Sequence, residues 1–468
     1  MRILSAIAVF VLLTNSARAE EVPNSRGAGI AIEAATLQTT LFDIEKTGFA
    51  ELLSIKAQIN AAGSNSWWVE LGDQLLVRSD SQLIGDLSTK LLIDKNLGNL
   101  SEKDLALQAR GCIDTPEYAL PSISSAGRFA LVKPPKAFAP MRYSAELQPL
   151  LPNQVVARGS NNLQAAALPK GVDSLARFLA NEIQAERWFA DVVSLASFDR
   201  STFAPNLAQA RSWIGNRFSA LGLQVSFPSF SFNYQGQSYQ NNNVLGFYQG
   251  QSAQNEWLVI GGHYDSRTVN IFATALTPGA EDNASGCSGV IELARALTKV
   301  RPNRSILFFC YSGEEQGLFG SKAHVAQLQQ SGDISKLKFF LTMDMIGFSA
   351  DNDFDVLLES NGANQGVLNQ FAAAAAAYEP RLRVLQSLNP FGSDHVPYLQ
   401  AGIPGLLTIE NDWDSYPQYH RSNDTPANMT NSLTMGGAIL RMNAAALGSF
   451  IGGATLDFAD IVFDDNFE

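Results

Sequence analysis

Trp257-Leu258-Val259-Ile260-Gly261-Gly262-His263-Tyr264-Asp265 reads as an apolar strand that ends in two glycines and then delivers an imidazole and a carboxylate. The same pattern recurs twice downstream. Ser305 to Tyr311 is an apolar run followed by Glu314 and Glu315, and Phe339 to Met343 leads directly into Asp344. Helical spacing separates and follows these strands, over Gly286 to Lys299, Leu318 to Gln330 and Asn364 to Tyr378. Ile403 to Ile409 reads as a further strand and Leu433 to Phe450 as a closing helix. Continuous apolar strands alternating with helices predict an α/β fold, with a mixed, mostly parallel central sheet flanked by helices and a separate N-terminal region.

Open parallel sheets collect their binding sites beyond the carboxyl ends of the strands. His263, the Glu314–Glu315 pair and Asp344 are therefore expected at one edge of the sheet. Asp282, in Asp282-Asn283-Ala284-Ser285-Gly286, and His420, in Tyr419-His420-Arg421, complete a set of imidazole and carboxylate groups. Zinc accepts both donor types, and two ions can share one bridging carboxylate, so His263, Asp282, Glu315, Asp344 and His420 suffice for two Zn2+. Taken alone, Asp282 reads better as a helix N-cap.

Two adjacent glutamates beside an apolar strand are costly to bury unless each has a task. With Glu315 as a ligand, Glu314 stands free as general base and then general acid, though a helix start would also favour the pair. Asp265, two residues beyond His263, shares its side in extended backbone and is placed to fix the imidazole tautomer. The Tyr419 phenol is a candidate donor to a developing oxyanion. His395, in Gly392-Ser393-Asp394-His395, reads equally as a structural or substrate-side group, and His324 as an exposed helix residue. Trp213 and the Phe residues near Phe227 read as core.

The 468 residues exceed one ordinary core; 46% of them are apolar and 17% charged, the balance of a globular protein. A formal charge of -12 repels phosphate backbones and anionic lipid, so nucleic acid is an unfavourable partner. Arg2, the apolar run Ile3 to Leu13 and Ala17-Arg18-Ala19 predict a cleaved signal peptide over 1–19, no later membrane span, and a secreted or periplasmic protein. Residues 20–170 carry a weak pattern with no site-like cluster and read as a propeptide or accessory region. A linker over Gly159 to Gly171 leads into a catalytic domain at 171–455, and 456–468 form an acidic tail. Cys287 and Cys310 are expected as buried free thiols; the pairing of Cys112 stays open.

The ordered motifs Gly-His-Tyr-Asp-Ser, Asp-Asn-Ala-Ser-Gly, Ser-Gly-Glu-Glu-Gln-Gly-Leu-Phe-Gly-Ser, Met-Asp-Met-Ile-Gly, Ser-Asp-His and Tyr-His span about Ala176 to Gly452. In that order they resemble the secreted di-zinc aminopeptidases of the bacterial leucyl type, in the wider family that includes glutamate carboxypeptidase and glutaminyl cyclase. The resemblance implies a zinc-exopeptidase-like fold. His263 and Asp344 would hold one zinc, Glu315 and His420 the other, and Asp282 would bridge them. Glu314 would activate a metal-bridged water, Asp265 would orient His263, and the substrates would be peptides with a free N-terminus. A single-zinc glutaminyl cyclase-like acyltransferase and a non-catalytic binding module on the same fold are the alternatives. Oligomeric state and side-chain preference are left open at this level.

Overall fold

A computed structural model describes residues 36–109, 120–134, 147–160, 173–272 and 276–456. The expected signal peptide, Cys112, most of the linker and the tail from residue 457 lie outside the described residues. One sheet runs through the molecule, built in chain order from β1 (Leu37–Asp43), β2 (Trp67–Gly72), β3 (Gln74–Asp80), β4 (Leu92–Asn96), β5 (Gln154–Arg158), β6 (Gln224–Ser226), β7 (Val244–Tyr248), β8 (Ala253–His263), β9 (Arg304–Tyr311), β10 (Leu337–Met343), β11 (Asp355–Glu359), β12 (Arg383–Ser387) and β13 (Gly405–Glu410). Their order is β6-β7-β9-β8-β10-β13-β11-β12-β5-β2-β3-β1-β4. The run β9-β8-β10-β13 is parallel, as the alternation of apolar strands and helices predicts. Antiparallel neighbours flank it, β7 on β9 and β11 on β13, so the sheet as a whole is mixed.

The apolar strands are continuous because both faces are covered. Leu258, Ile260, Ile306, Phe308 and Leu341 pack beneath the helices Ala185–Ala196, Gly286–Leu297 and Ser432–Leu447. Val259, Leu307, Phe309 and Phe340 point the other way, toward Val325 and Leu328 of the helix Phe319–Ser331. Each aliphatic side chain fully buried in this way contributes roughly 1.5–3 kcal/mol. Close approach sets one position by sterics. A Cβ on Gly262 would stand 2.9 Å from the Met343 carbonyl oxygen, so the residue before His263 has no room for a side chain.

Two expectations are corrected here. His324 is buried, its ring tilted against Phe309 with centroids 4.1 Å apart, and its Nδ1 lies 2.6 Å from the Tyr398 hydroxyl. Its helix turns that side chain onto the sheet, where an isolated polar residue inside a helix pattern gives no warning. Cys287 and Cys310 are joined in a disulfide, because the first turn of the Gly286–Leu297 helix sits directly over β9.

The N-terminal segment joins the same sheet. β5 pairs with β12 through Arg158–Gln386 and Ala157–Ser387, and β2, β3, β1 and β4 follow outward. The helices Phe49–Ala61 and Ser81–Ser88 cover one face, the second started by Asp80, whose Oδ1 accepts from the Leu83 amide at 2.8 Å. A four-stranded sheet containing Ser122–Ala126 and Phe129–Val132 covers the other. No helix among the described residues is long and apolar enough to cross a membrane.

Candidate metal centre

His263 ends β8, Asp344 follows β10, and Glu314 and Glu315 follow β9, so three connections deliver their polar residues to one edge of the parallel run. Asp282 and His420 arrive from loops and close the group. His263 Nε2 lies 3.3 Å from Asp282 Oδ1, 3.3 Å from Asp344 Oδ1 and 3.9 Å from Glu314 Oε2. His420 Nε2 lies 3.0 Å from Asp282 Oδ2 and 3.2 Å from Glu315 Oε2. The two oxygens of Asp282 are thereby divided between the two imidazoles, which is the placement a bridging carboxylate needs. Ligand atoms of His263, Glu314 and Asp344 fall within 4.8 Å of one another, as do those of His263, Asp282 and Glu315.

Neighbouring groups fix the loops. Asn283 Oδ1 accepts from the Gly286 amide at 2.7 Å and the Met345 amide at 3.1 Å, and its Nδ2 donates to the Met343 carbonyl at 3.0 Å. Asn283 thus takes the hydrogen bond that Asp282 would have made as a cap. The Glu281 and Asp282 amides donate to the Asp424 carboxylate at 2.9 and 3.0 Å, and the Tyr416 hydroxyl donates to it at 2.7 Å. Arg200, fully buried, donates to the carbonyls of Pro278 and Gly279 just before that loop. Met345 and His420 occupy left-handed backbone, φ +51° and +53°, at a cost of order 1 kcal/mol each.

His263 Nδ1 is closer to the backbone carbonyl of Asp265, at 3.1 Å, than to its carboxylate, at 3.6 Å. That carboxylate accepts from the Thr202 hydroxyl at 2.6 Å and from the Glu314 amide at 3.4 Å, tying the His263 loop to the Glu314 loop. The ring of Tyr419 lies against His420, with centroids 3.8 Å apart. Ser393 donates to Asp344 Oδ2 at 2.7 Å, whereas His395 faces Glu359 at 3.1 Å, one layer further out. Arg267 packs at the Glu315–His420 side, with Nε 3.0 Å from Glu315 Oε2 and Nη2 2.8 Å from His420 Nδ1. Arg200, Thr202 and Arg267 carry no sequence signal of their own. Asp424 lies four residues after His420, inside the Tyr-His segment, and that spacing was the available clue.

Electrostatics explain what the cluster requires. Burial opposes the charge on each group. The carboxylates around His263, Glu314 and Asp344 first, outweigh that and hold its imidazole well above the usual range. His420 is pushed up to about 9 in the same way, chiefly by Glu315 and Asp282. Burial raises Glu314 and Glu315, while the two histidines draw Asp282 down. Both oxygens of Glu314 and Oε1 of Glu315 are shielded from solvent with no hydrogen-bonding partner, and the buried oxygens of Asp282 meet only the two imidazoles. So many buried carboxylate oxygens converging with so few donors fit divalent cations, and the mixed nitrogen and oxygen donors fit zinc.

Residues 243–442 match Peptidase family M28. A probable zinc metalloprotease of Pyrenophora teres f. teres is 27% identical over 303 residues, which cover 53% of this chain and 62% of that protein. Leucine aminopeptidase 1 of Fusarium vanettenii is 28% identical over 286 residues, 56% of this chain and 70% of its own. This chain therefore spans about six tenths of the length of the fungal zinc metalloprotease. In fold it is similar to the LapA aminopeptidase of Legionella pneumophila, with a TM-score of 0.50 at 17% identity, covering 90% of this chain and 100% of that one. That span reaches well into the segment before residue 171. The residues that match peptidase family M28 contain the whole converging cluster from His263 to His420.

Proposed function

We propose that this protein is a secreted aminopeptidase that uses two zinc ions to remove residues from the free N-terminus of peptides. The observation that carries the reading is the division of Asp282 between His263 and His420, with Asp344 and Glu315 on either side and Glu314 left over. His263, Asp344 and Asp282 would hold one ion, and Glu315, His420 and Asp282 the other. When bound, the ions polarise the scissile carbonyl and make water nucleophilic near neutral pH.

The chain's own groups supply the proton transfers. Glu314 takes a proton from the attacking water and passes it to the leaving amine. Its buried carboxyl, raised by desolvation, suits both halves of that exchange. Asp265 holds the His263 and Glu314 loops in register through the contacts described above, and Tyr419 is assigned as donor to the carbonyl oxygen as charge develops there. Two imidazoles divided over Asp282, His263 with Asp344 and His420 with Glu315, support two ions over a single-zinc cyclase site.

The test is metal analysis of the purified protein beside a panel of aminoacyl anilides with free and blocked amines. Two zinc per chain and hydrolysis confined to free amines are expected. Equal hydrolysis of blocked substrates would overturn the exopeptidase assignment.

A further inference from the structure

Arg128 is a side chain of the N-terminal segment that reaches the metal centre's supports. It sits in the turn between the strands Ser122–Ala126 and Phe129–Val132, after Gly127 in left-handed backbone, and is buried. Its Nη1 is 3.2 Å from Glu359 Oε1 and its Nη2 donates to the Gly392 carbonyl at 3.1 Å. The guanidinium lies 4.2 Å from the centroid of Phe391, which also packs on Phe129. Glu359 Oε1 accepts in turn from the Phe391 amide at 3.2 Å and faces His395 Nε2 at 3.1 Å. Both ends of the 391–395 loop are therefore held by one buried carboxylate whose charge Arg128 balances. In the middle of that loop Ser393 donates to Asp344 Oδ2, leaving Oδ1 toward His263.

We infer that Arg128 is a positioning residue for the metal centre, acting through the 391–395 loop on Ser393 and thereby on Asp344. The N-terminal segment is then a permanent part of the site's framework. A carboxylate held by an outer hydrogen bond presents one defined oxygen to a cation, and losing such a partner typically lowers metal affinity about 10–100-fold. This rests on the reading that Asp344 is a zinc ligand.

The experiment measures zinc retained by the full-length chain after dialysis against graded chelator, with melting curves as a fold control. Arg128→Met and Ser393→Ala should each release one ion at about 10–100-fold lower chelator, Arg128→Lys should recover most of the loss, and the double variant should be no worse than Ser393→Ala. Because Arg128→Met strands a buried carboxylate, Arg128→Met combined with Glu359→Gln is the folding-tolerant version, and it should lose the ion equally. Wild-type retention in that pair, or additive losses in the double variant, would overturn the inference. A wild-type protein that holds no zinc would instead overturn the proposed function.

Discussion

The carboxylates of Glu314 and Glu315, neighbours in sequence, serve different histidines: Glu314 Oε2 stands 3.9 Å from His263 Nε2, and Glu315 Oε2 stands 3.2 Å from His420 Nε2. The longer distance leaves Glu314 outside the tightest contacts. Glu314→Gln keeps the shape and removes the proton exchange, so turnover on an aminoacyl anilide should fall by about 10^2–10^4-fold with both zinc ions retained. Near-normal turnover would remove Glu314 from its role.

Asp282→Asn should act on the metals themselves. The amide presents one oxygen where the carboxylate divides two, and it carries no charge. Zinc per chain should drop below two, read by metal analysis after dialysis. An unchanged count would leave Asp282 outside the ligand set.

Stability should fall between pH 4 and 7 for a reason remote from the metals. Burial pushes Asp355 up to about 7 against the opposing pull of Arg383, with Asp353, Asp412 and Asp73 adding to the rise. The folded chain therefore keeps this proton up to about pH 7, while the unfolded chain releases it near 4. Within that window the native state binds more protons, so stability declines as pH rises, by up to ~1.4 kcal/mol per pH unit from this group. Asp355→Asn should flatten the slope and gain most over wild type at pH 8 in denaturant titrations. An equal gap at pH 4 and pH 8 would refute it.

Cys287 and Cys310 should resist alkylation in denaturant until reductant is added, as peptide mapping would reveal. The bridge spans 23 residues, for which chain-entropy reasoning gives about 3 kcal/mol. Reduced protein should unfold at correspondingly lower denaturant, and free alkylation without reductant would exclude the bridge.

How much of this could be read from residue order depended on local contrast. β8, β9 and β10 were legible because unbroken apolar runs end abruptly in Gly, Glu or Asp. Among the five candidate ligands, His263, Glu315 and Asp344 stood out because few residue types bind zinc and each follows such an ending, whereas Asp282 and His420 lie in polar loops and stood out by residue type alone. β11 and β12 were not: Asp355, Arg383 and Gln386 interrupt their apolar character, and their partners lie far away in sequence. The hairpin Ser229–Tyr234 with Gln237–Asn242 is polar enough to pass for loop. Cys287 with Cys310, His324 on Phe309, and Arg267 beside Glu315 all depend on which faces meet after folding, and no periodicity encodes that.

The pairing of β5 with β12 has a consequence for any shortened form of the protein. Gln386 and Ser387 satisfy their outer backbone groups on Arg158 and Ala157. A chain beginning near residue 171 would present that row of amides and carbonyls unpaired beside Val384 and Leu385, a ready template for another strand. Such a truncated chain should self-associate, which light scattering would detect as a growing particle size.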